Sequence, residues 1–355
     1  MARRNGASSR ATIKDVAKRA AVSIGTVSRV INGHQDVEAG LRTRVESAMK
    51  DLHYRPSFRA QSFVRDRSPV IGFVVSNRHS FNTFHALLLL GVEEYCSQSG
   101  YYVLFSRHQY VAEAAPADLA LPGILQNRGL SDSIILAGTN HANLLDALDR
   151  FGLRHVILAN SLFGGETRPP LNRVRYDDAG GVAEATRYLA QLGHRDIWYI
   201  GDDSEPWHKT RQEAYRRVIS ELSLEPHIHA IAVSDDPFEN GHAAVSLLIE
   251  HGSPVTAIFA DSEELAYGVK EGLRQHGRDV PRDVSVIAFD HQTYRSRLPT
   301  LTSVCVDPVE VGRQLARLAI GRTESDADQP EILVPARLVK RSSCRPLRAE
   351  PSMLL

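Results

Sequence analysis

The chain is poor in cysteine: Cys96, Cys305 and Cys344 are its only three in 355 residues, far apart and without a CxxC spacing. That pattern fits a reducing compartment and argues against a disulfide framework or a structural zinc site. No apolar run approaches the roughly 18 residues that a membrane span needs. Met1-Ala2-Arg3-Arg4 leads into a polar stretch with no apolar core of a signal sequence, so a cytoplasmic protein with no membrane partner is expected. Catalytic signatures are also missing: there is no GxGxxG after a strand, no Walker A run, no GxSxG elbow and no HExxH. The 15 histidines are scattered, and His227-Ile228-His229 has no further ligands nearby. The acid pairs Asp177-Asp178 and Asp202-Asp203 read as caps and solvated turns, the first standing just before a helix expected over 179–192. The expectation is therefore a protein with no catalytic residue, no metal and no cofactor, and not an enzyme.

What is present is unevenly placed. Of 42 basic and 42 acidic residues, 14 and 6 fall through Ser68, a net of about +8, which leaves about −8 on the rest. A basic head on an acidic body suits a DNA-binding module attached to a larger effector domain.

The head shows helical periodicity. Thr12 is a good N-cap for a helix over 13–20, with Asp15 three residues on and Ile13, Val16, Ala17 and Ala20 on one face. After Ala21-Val22, Ser23 caps a second helix over 24–32 that ends at Gly33. Val27, Val30 and Ile31 face inward, leaving Ile24, Gly25, Ser28 and Arg29 outside. A third helix over 38–52 offers Leu41, Val45, Ala48 and Leu52. Two short helices joined by a tight turn and closed by a third make a helix-turn-helix, whose second helix enters the major groove.

Thr12-Ile13-Lys14-Asp15-Val16-Ala17, Val22-Ser23, the run from Thr26 to Asn32 and Leu52-His53-Tyr54-Arg55-Pro56-Ser57 resemble the head of the lactose-repressor (LacI) family. The family usually has Gly where Ala21 stands; a positive φ there would cost Ala about 1 kcal/mol. The resemblance places base reading at Ile24 and Gly25, and the chemistry of the outward face adds Arg29. Arg29 is the strongest of these, because a guanidinium pairs with guanine O6 and N7, whereas Ile24 can only meet a thymine methyl and Gly25 only permits close approach. Thr12, Ser23, Thr26, Ser28 and Asn32 are expected on phosphates, which position without specifying. Residues 56–63 resemble the family's hinge helix, with Ser57, Ala60 and Phe63 implied at the minor groove and Phe63 as a wedge at the central step.

From Val70 the pattern becomes short apolar strands alternating with amphipathic stretches, expected over 70–75, 101–105, 134–136, 156–158, 197–200, 228–233, 257–259 and 284–289. Gly100, Gly193 and Gly277 stand where helix gives way to strand. This is an α/β pattern of doubly wound parallel sheets. The resemblance implies a two-lobed fold of the type I periplasmic-binding-protein kind, with a ligand in the cleft. It also implies effector residues, Phe81 from the loop after the first strand, Asn160, Arg211, Ser262 and Asp290, to which Trp207 is added as a second candidate aromatic face. Arg and Asp each bind vicinal hydroxyls, and Phe81 or Trp207 supplies an aromatic face for a sugar. For Arg211 and Asp290 the competing role is an ion pair closing the cleft.

The expected organisation is a basic arm (1–10), a helix-turn-helix (11–55), a hinge helix and linker (56–68), a two-lobed effector and dimerisation domain (69–345) and a tail (346–355). The expected function is ligand-responsive, sequence-specific binding of operator DNA, with repression of carbohydrate-utilisation genes and a sugar-like effector. A body that only dimerises or docks a protein stays open as the alternative, because Thr83 and Ala214 replace the family's Pro and Gly. A homodimer on a pseudo-palindromic operator follows from half-site reading. Leu87-Leu88-Leu89-Leu90 and Tyr267 are candidates for the dimer face.

Overall fold

The computed structural model describes residues 11–31, 34, 36–54, 68–78, 82–127, 129–164, 172–202, 204–230, 236–290, 301–321 and 331–347. The chain divides into two compact units, Met1–Pro69 and Val70–Leu355.

In the first unit, α1 (Ile13–Ala20), α2 (Ile24–Ile31) and α3 (Ala39–Asp51) enclose a small core. Val16, Ala17, Ala20, Val27, Val30, Val45 and Ala48 fill it, flanked by half-buried Ile13, Val22, Ile31, Val37, Leu52 and Tyr54. Leu41, expected inward, is only half-buried. The Asp15 carboxylate accepts from the Thr12 backbone N–H (2.8 Å) and hydroxyl (2.7 Å), so the start of α1 is closed by its own acid. Those two bonds hold the Asp15 carboxyl below its usual range. Ala21 has φ 50° and ψ 50°, the left-handed conformation that makes Ala more costly than Gly. Arg44 secures this turn, its Nη2 donating to Ala20 O at 2.6 Å and to Ala21 O at 3.2 Å.

The second unit holds two six-stranded sheets. The first lobe runs β13-β7-β5-β3-β1-β2, with β1 Val70–Ser76, β2 Tyr102–His108, β3 Ser133–Gly138, β5 His155–Leu158, β7 Arg173–Tyr176 and β13 Ile332–Val334. The second runs β14-β12-β11-β10-β8-β9, with β8 Ile197–Ile200, β9 His227–His229, β10 Ala257–Ala260, β11 Ser285–Asp290, β12 Thr302–Cys305 and β14 Arg337–Val339. The neighbours are parallel except β12 and β14, which pair antiparallel. A two-stranded ribbon, β4 (Asn140–His141) and β6 (Leu162–Phe163), completes the strands described. This is the doubly wound α/β architecture that the sequence suggests. β4, β6, β7, β12, β13 and β14 go beyond the eight strands expected. Gly100, Gly193 and Gly277 have φ of 75°, 94° and 70°, as helix-ending glycines should.

The chain passes between the lobes three times: after β7 into the Asp178–Gln191 helix of the second lobe, after β12 into the Pro308–Ile320 helix of the first, and from β13 to β14. Each lobe also contains one helix pair in backbone contact. The Thr83–Gln98 and Pro308–Ile320 helices cross at Gly91 and Gly312, where a Cβ would strike Val309 O and Leu88 O. Gly241 and Gly268 do the same for the Pro237–Glu250 and Glu263–Gln275 helices, facing Leu265 O and Phe238 O.

Candidate functional site

The outer face of α2 presents Ile24, Gly25 and Arg29 to solvent, with Thr26 and Ser28 half-buried beside them. Ser23 Oγ accepts from Thr26 N at 3.0 Å and lies 2.9 Å from Thr26 Oγ1, so the helix N-terminus is capped and its first turn held in one shape. At Gly25 an added Cβ would meet only Ser23 Oγ, at an ordinary 3.6 Å. Glycine is thus not required there by the packing of the head. Several arginines of the basic head are committed internally: Arg19 to Asp51 (2.8 Å), Arg42 to His34 O (2.6 Å) and Arg44 to the turn. Arg29 pairs with Asp36 in the link between α2 and α3. Asn32, Ser57, Ala60 and Phe63 lie outside the described residues, as does Phe81 of the cleft.

A cavity of about 270 Å³ opens between the two lobes, and Trp207, Arg211, Ser262 and Asp290 line it. Strand and helix ends position them. Asp290 ends β11 and is 5% exposed; Ser262 caps the Glu263–Gln275 helix, its Oγ accepting from Leu265 N at 3.3 Å. Trp207 and Arg211 stand on the Pro206–Glu221 helix. Arg211 is 1% exposed, its Nε donates to Asp178 Oδ1 at 2.6 Å and its Nη1 to Asp261 O at 2.6 Å. Its guanidinium lies 3.5 Å from the centre of the Phe289 ring. Nη2 finds no hydrogen-bond partner among the described residues.

The partner of Arg211 is thus Asp178, an acid that the sequence reads as half of a capping pair. Asp177 does cap, accepting from Gly180 N at 2.8 Å, while Asp178 turns inward and is 2% exposed. Burial pushes the Asp178 carboxyl upward, opposed by Arg211 and Asn160. Asn160 does not line the cavity. Its Nδ2 donates to Tyr176 O (2.9 Å) and Asp178 Oδ2 (2.6 Å), and its Oδ1 accepts from Tyr176 N (3.0 Å), so its side chain holds Asp178 from behind.

The cavity adds residues that sequence reasoning missed, among them Arg78, Phe84, His85, Tyr176, His208, Glu263, Glu264 and Phe289. Arg78 follows β1 in the first lobe and its guanidinium sits 4.7 Å from the centre of the Trp207 ring in the second. Nη1 of the same side chain is 3.5 Å from Glu205 Oε1, and the Thr139 hydroxyl donates to Glu205 at 3.2 Å, so two first-lobe side chains converge on one second-lobe carboxylate. His208 Nδ1 is 2.5 Å from Asp261 Oδ2. His85, buried beside Phe84 with Nδ1 2.6 Å from Asn82 Oδ1, has its pKa lowered to about 4 by burial and by the Arg78 charge, so it is neutral near pH 7.

Among the described residues there is no cluster of metal-ligating side chains, and no helix is long and apolar enough to cross a membrane.

The model of bacterial regulatory proteins of the lacI family matches residues 12–57, and that of a periplasmic binding protein-like domain matches 186–344. The HTH-type transcriptional regulator CelR of Thermobifida fusca is 31% identical over 330 residues, covering 92% of this chain and 95% of that protein. Catabolite control protein A of Priestia megaterium is 28% identical, covering 94% and 99%. Among solved structures, a CelR–cellobiose complex matches with a TM-score of 0.65 at 27% identity, covering 94% of this chain and 100% of that one. The lac repressor dimer bound to operator superposes with a TM-score of 0.74 at 22% identity, covering 94% and 99%, a likeness of fold. A helix-turn-helix head, a two-lobed body and full-length similarity to known regulators agree: the chain belongs to the LacI family of bacterial, non-catalytic, DNA-binding transcriptional regulators.

Proposed function

We propose that this regulator is a homodimeric repressor of carbohydrate-utilisation genes, binding a pseudo-palindromic operator through Ile24, Gly25 and Arg29 and releasing or gripping it in response to a neutral sugar. The observation that carries the ligand reading is Arg211 Nη2, a buried donor at the wall of the cleft that has no partner among the described residues. A buried unsatisfied donor is costly, and a ligand hydroxyl arriving there relieves the cost. Asp290 and Ser262 supply acceptors nearby, and Trp207 and Phe84 supply the apolar faces that sugar C–H groups prefer.

Charge argues for a neutral effector. Arg211, Arg78 and His208 each already face a carboxylate, of Asp178, Glu205 and Asp261, while Glu263, Glu264 and Asp290 add negative charge to the lining. A phosphate ester meets net repulsion here. The CelR relative was solved with cellobiose, which agrees with a sugar of one or two rings.

For the dimer, the edge strand β2 exposes Tyr102, Leu104 and Phe105, and Leu90 is 42% exposed on the Thr83–Gln98 helix. Leu88 is buried in the lobe, so within the leucine run Leu90 faces outward. Tyr267 is exposed on the second lobe.

Thermal denaturation with a panel of neutral sugars and sugar phosphates tests the effector. A saturating sugar at 100 times its Kd adds about 2.7 kcal/mol of stability. The expected result is a rise with neutral sugars, none with phosphate esters, and loss of the rise in Asp290→Asn. If no sugar shifts the transition of a protein that still binds its operator, the body serves dimerisation or protein docking instead.

A further inference from the structure

The head carries an acidic residue where a DNA-binding surface should avoid one. Arg29 lies in the last turn of α2 with its side chain 54% exposed, and Asp36, 57% exposed, forms an ion pair with its Nη2. Two described residues that flank Asp36 are held to the head. Val37 packs against the core of the head, and Arg42 Nη2 donates to His34 O at 2.6 Å. The carboxylate therefore stands between two points, His34 and Val37, that are tied to the rest of the head.

Folding does not explain it, because an exposed ion pair contributes little to stability. Affinity does not explain it either, because a negative charge beside the reading helix opposes every phosphate it approaches. Specificity does. A guanidinium has five N–H donors in a rigid planar fork on a chain with many rotamers. A carboxylate holding one edge of that fork orders the side chain before DNA arrives, so less freedom is lost on docking. The fork then has one preferred direction, and a pair of donors remains for the O6 and N7 of a guanine. At any other base the same fork meets a poorer match, while the Asp36 charge still opposes the backbone.

We propose that Asp36 is a positioning and specificity-determining residue, which orients Arg29 for guanine and lowers affinity for all other DNA. The proposal rests on Arg29 being the base reader. The test uses the full chain. Selection from a random palindromic duplex library gives the preferred half-site. Fluorescence anisotropy then compares that duplex, duplexes with each guanine replaced in turn, and an unrelated duplex, at several salt concentrations. Asp36→Ala is expected to bind the unrelated duplex about 3- to 10-fold more tightly, as one fewer opposing charge implies. It is also expected to lose about 3- to 10-fold of the preference for one guanine, within what a single good base contact provides. On an Arg29→Ala background the same change should leave the preference where Arg29→Ala put it. Asp36→Glu, which keeps a carboxylate within reach, should restore part of the preference. A uniform gain for every duplex, with the preference intact, overturns the positioning role. If Arg29→Ala itself keeps the preference, the reading of Arg29 fails and Asp36 falls with it. If only Arg29→Ala loses it, Asp36 alone is wrong.

Discussion

Replacing Asp178 by Ala leaves the Arg211 guanidinium, 1% exposed, with no carboxylate on its Nε and with Nη2 already unpartnered among the described residues. Stacking on Phe289 and one bond to Asp261 O remain, and neither neutralises a buried charge. Breaking a buried pair from one side costs about 3–5 kcal/mol. Asn160 Nδ2 loses its 2.6 Å acceptor as well, which places the loss toward the upper end. For a body of this size each kcal/mol moves the midpoint by about 2–4 °C, so Asp178→Ala should melt roughly 6–20 °C lower. The double variant Arg211→Met/Asp178→Ala removes both charges and fills most of the volume, and it should recover at least about half of that loss. Differential scanning calorimetry of the ligand-free protein reads both. A drop under about 2 °C for the single variant, or a double variant as unstable as the two single losses added, would refute the argument that the pair is held by mutual compensation.

Other outcomes follow from the same geometry. Ala21→Gly should stabilise the head by about 1 kcal/mol, because φ at this position is 50°; urea denaturation followed by far-UV circular dichroism checks it. His85 protonates near pH 6.5 in the unfolded chain and only at about 4 in the folded one. Its contribution is therefore complete above pH 6.5 and lost as pH falls through 4, and His85→Gln should flatten that fall by up to about 3 kcal/mol. The protein has two tryptophans, and only Trp207 lines the cleft, so a sugar-induced fluorescence change should vanish in Trp207→Phe and persist in Trp198→Phe.

The two units and the α/β alternation were legible because apolar spacing repeats with helical and strand periods over long stretches. β7 was not, since Arg173 and Arg175 alternate with Val174 and Tyr176 and dilute a four-residue apolar signal. β12, Thr302–Cys305, is wholly buried but begins with two hydroxyl residues. Arg211 and Asp290, which line the cleft, were reached through the patterns they share with the resembling family. Asp178 was not, because an acid before a helix reads as a cap, and only the approach of a helix 33 positions later reveals its other use. Arg78 and Glu205 meet across the cleft for the same reason: long-range partners leave no mark on local sequence.

The glycine crossings have a mechanical consequence. Where two helices touch backbone to backbone, no flexible side chains lie between them to be resorted, so the pair has little room to slide. With such a weld in each lobe, neither half is suited to yielding by internal shear. Bending is left to the three connecting spans that follow β7, β12 and β13, so under the proposed effector role their backbone torsions are where occupancy of the cleft would be converted into motion. A bulky residue at Gly91 or Gly268 would loosen a weld, and the body would then absorb ligand binding as internal play without transmitting it.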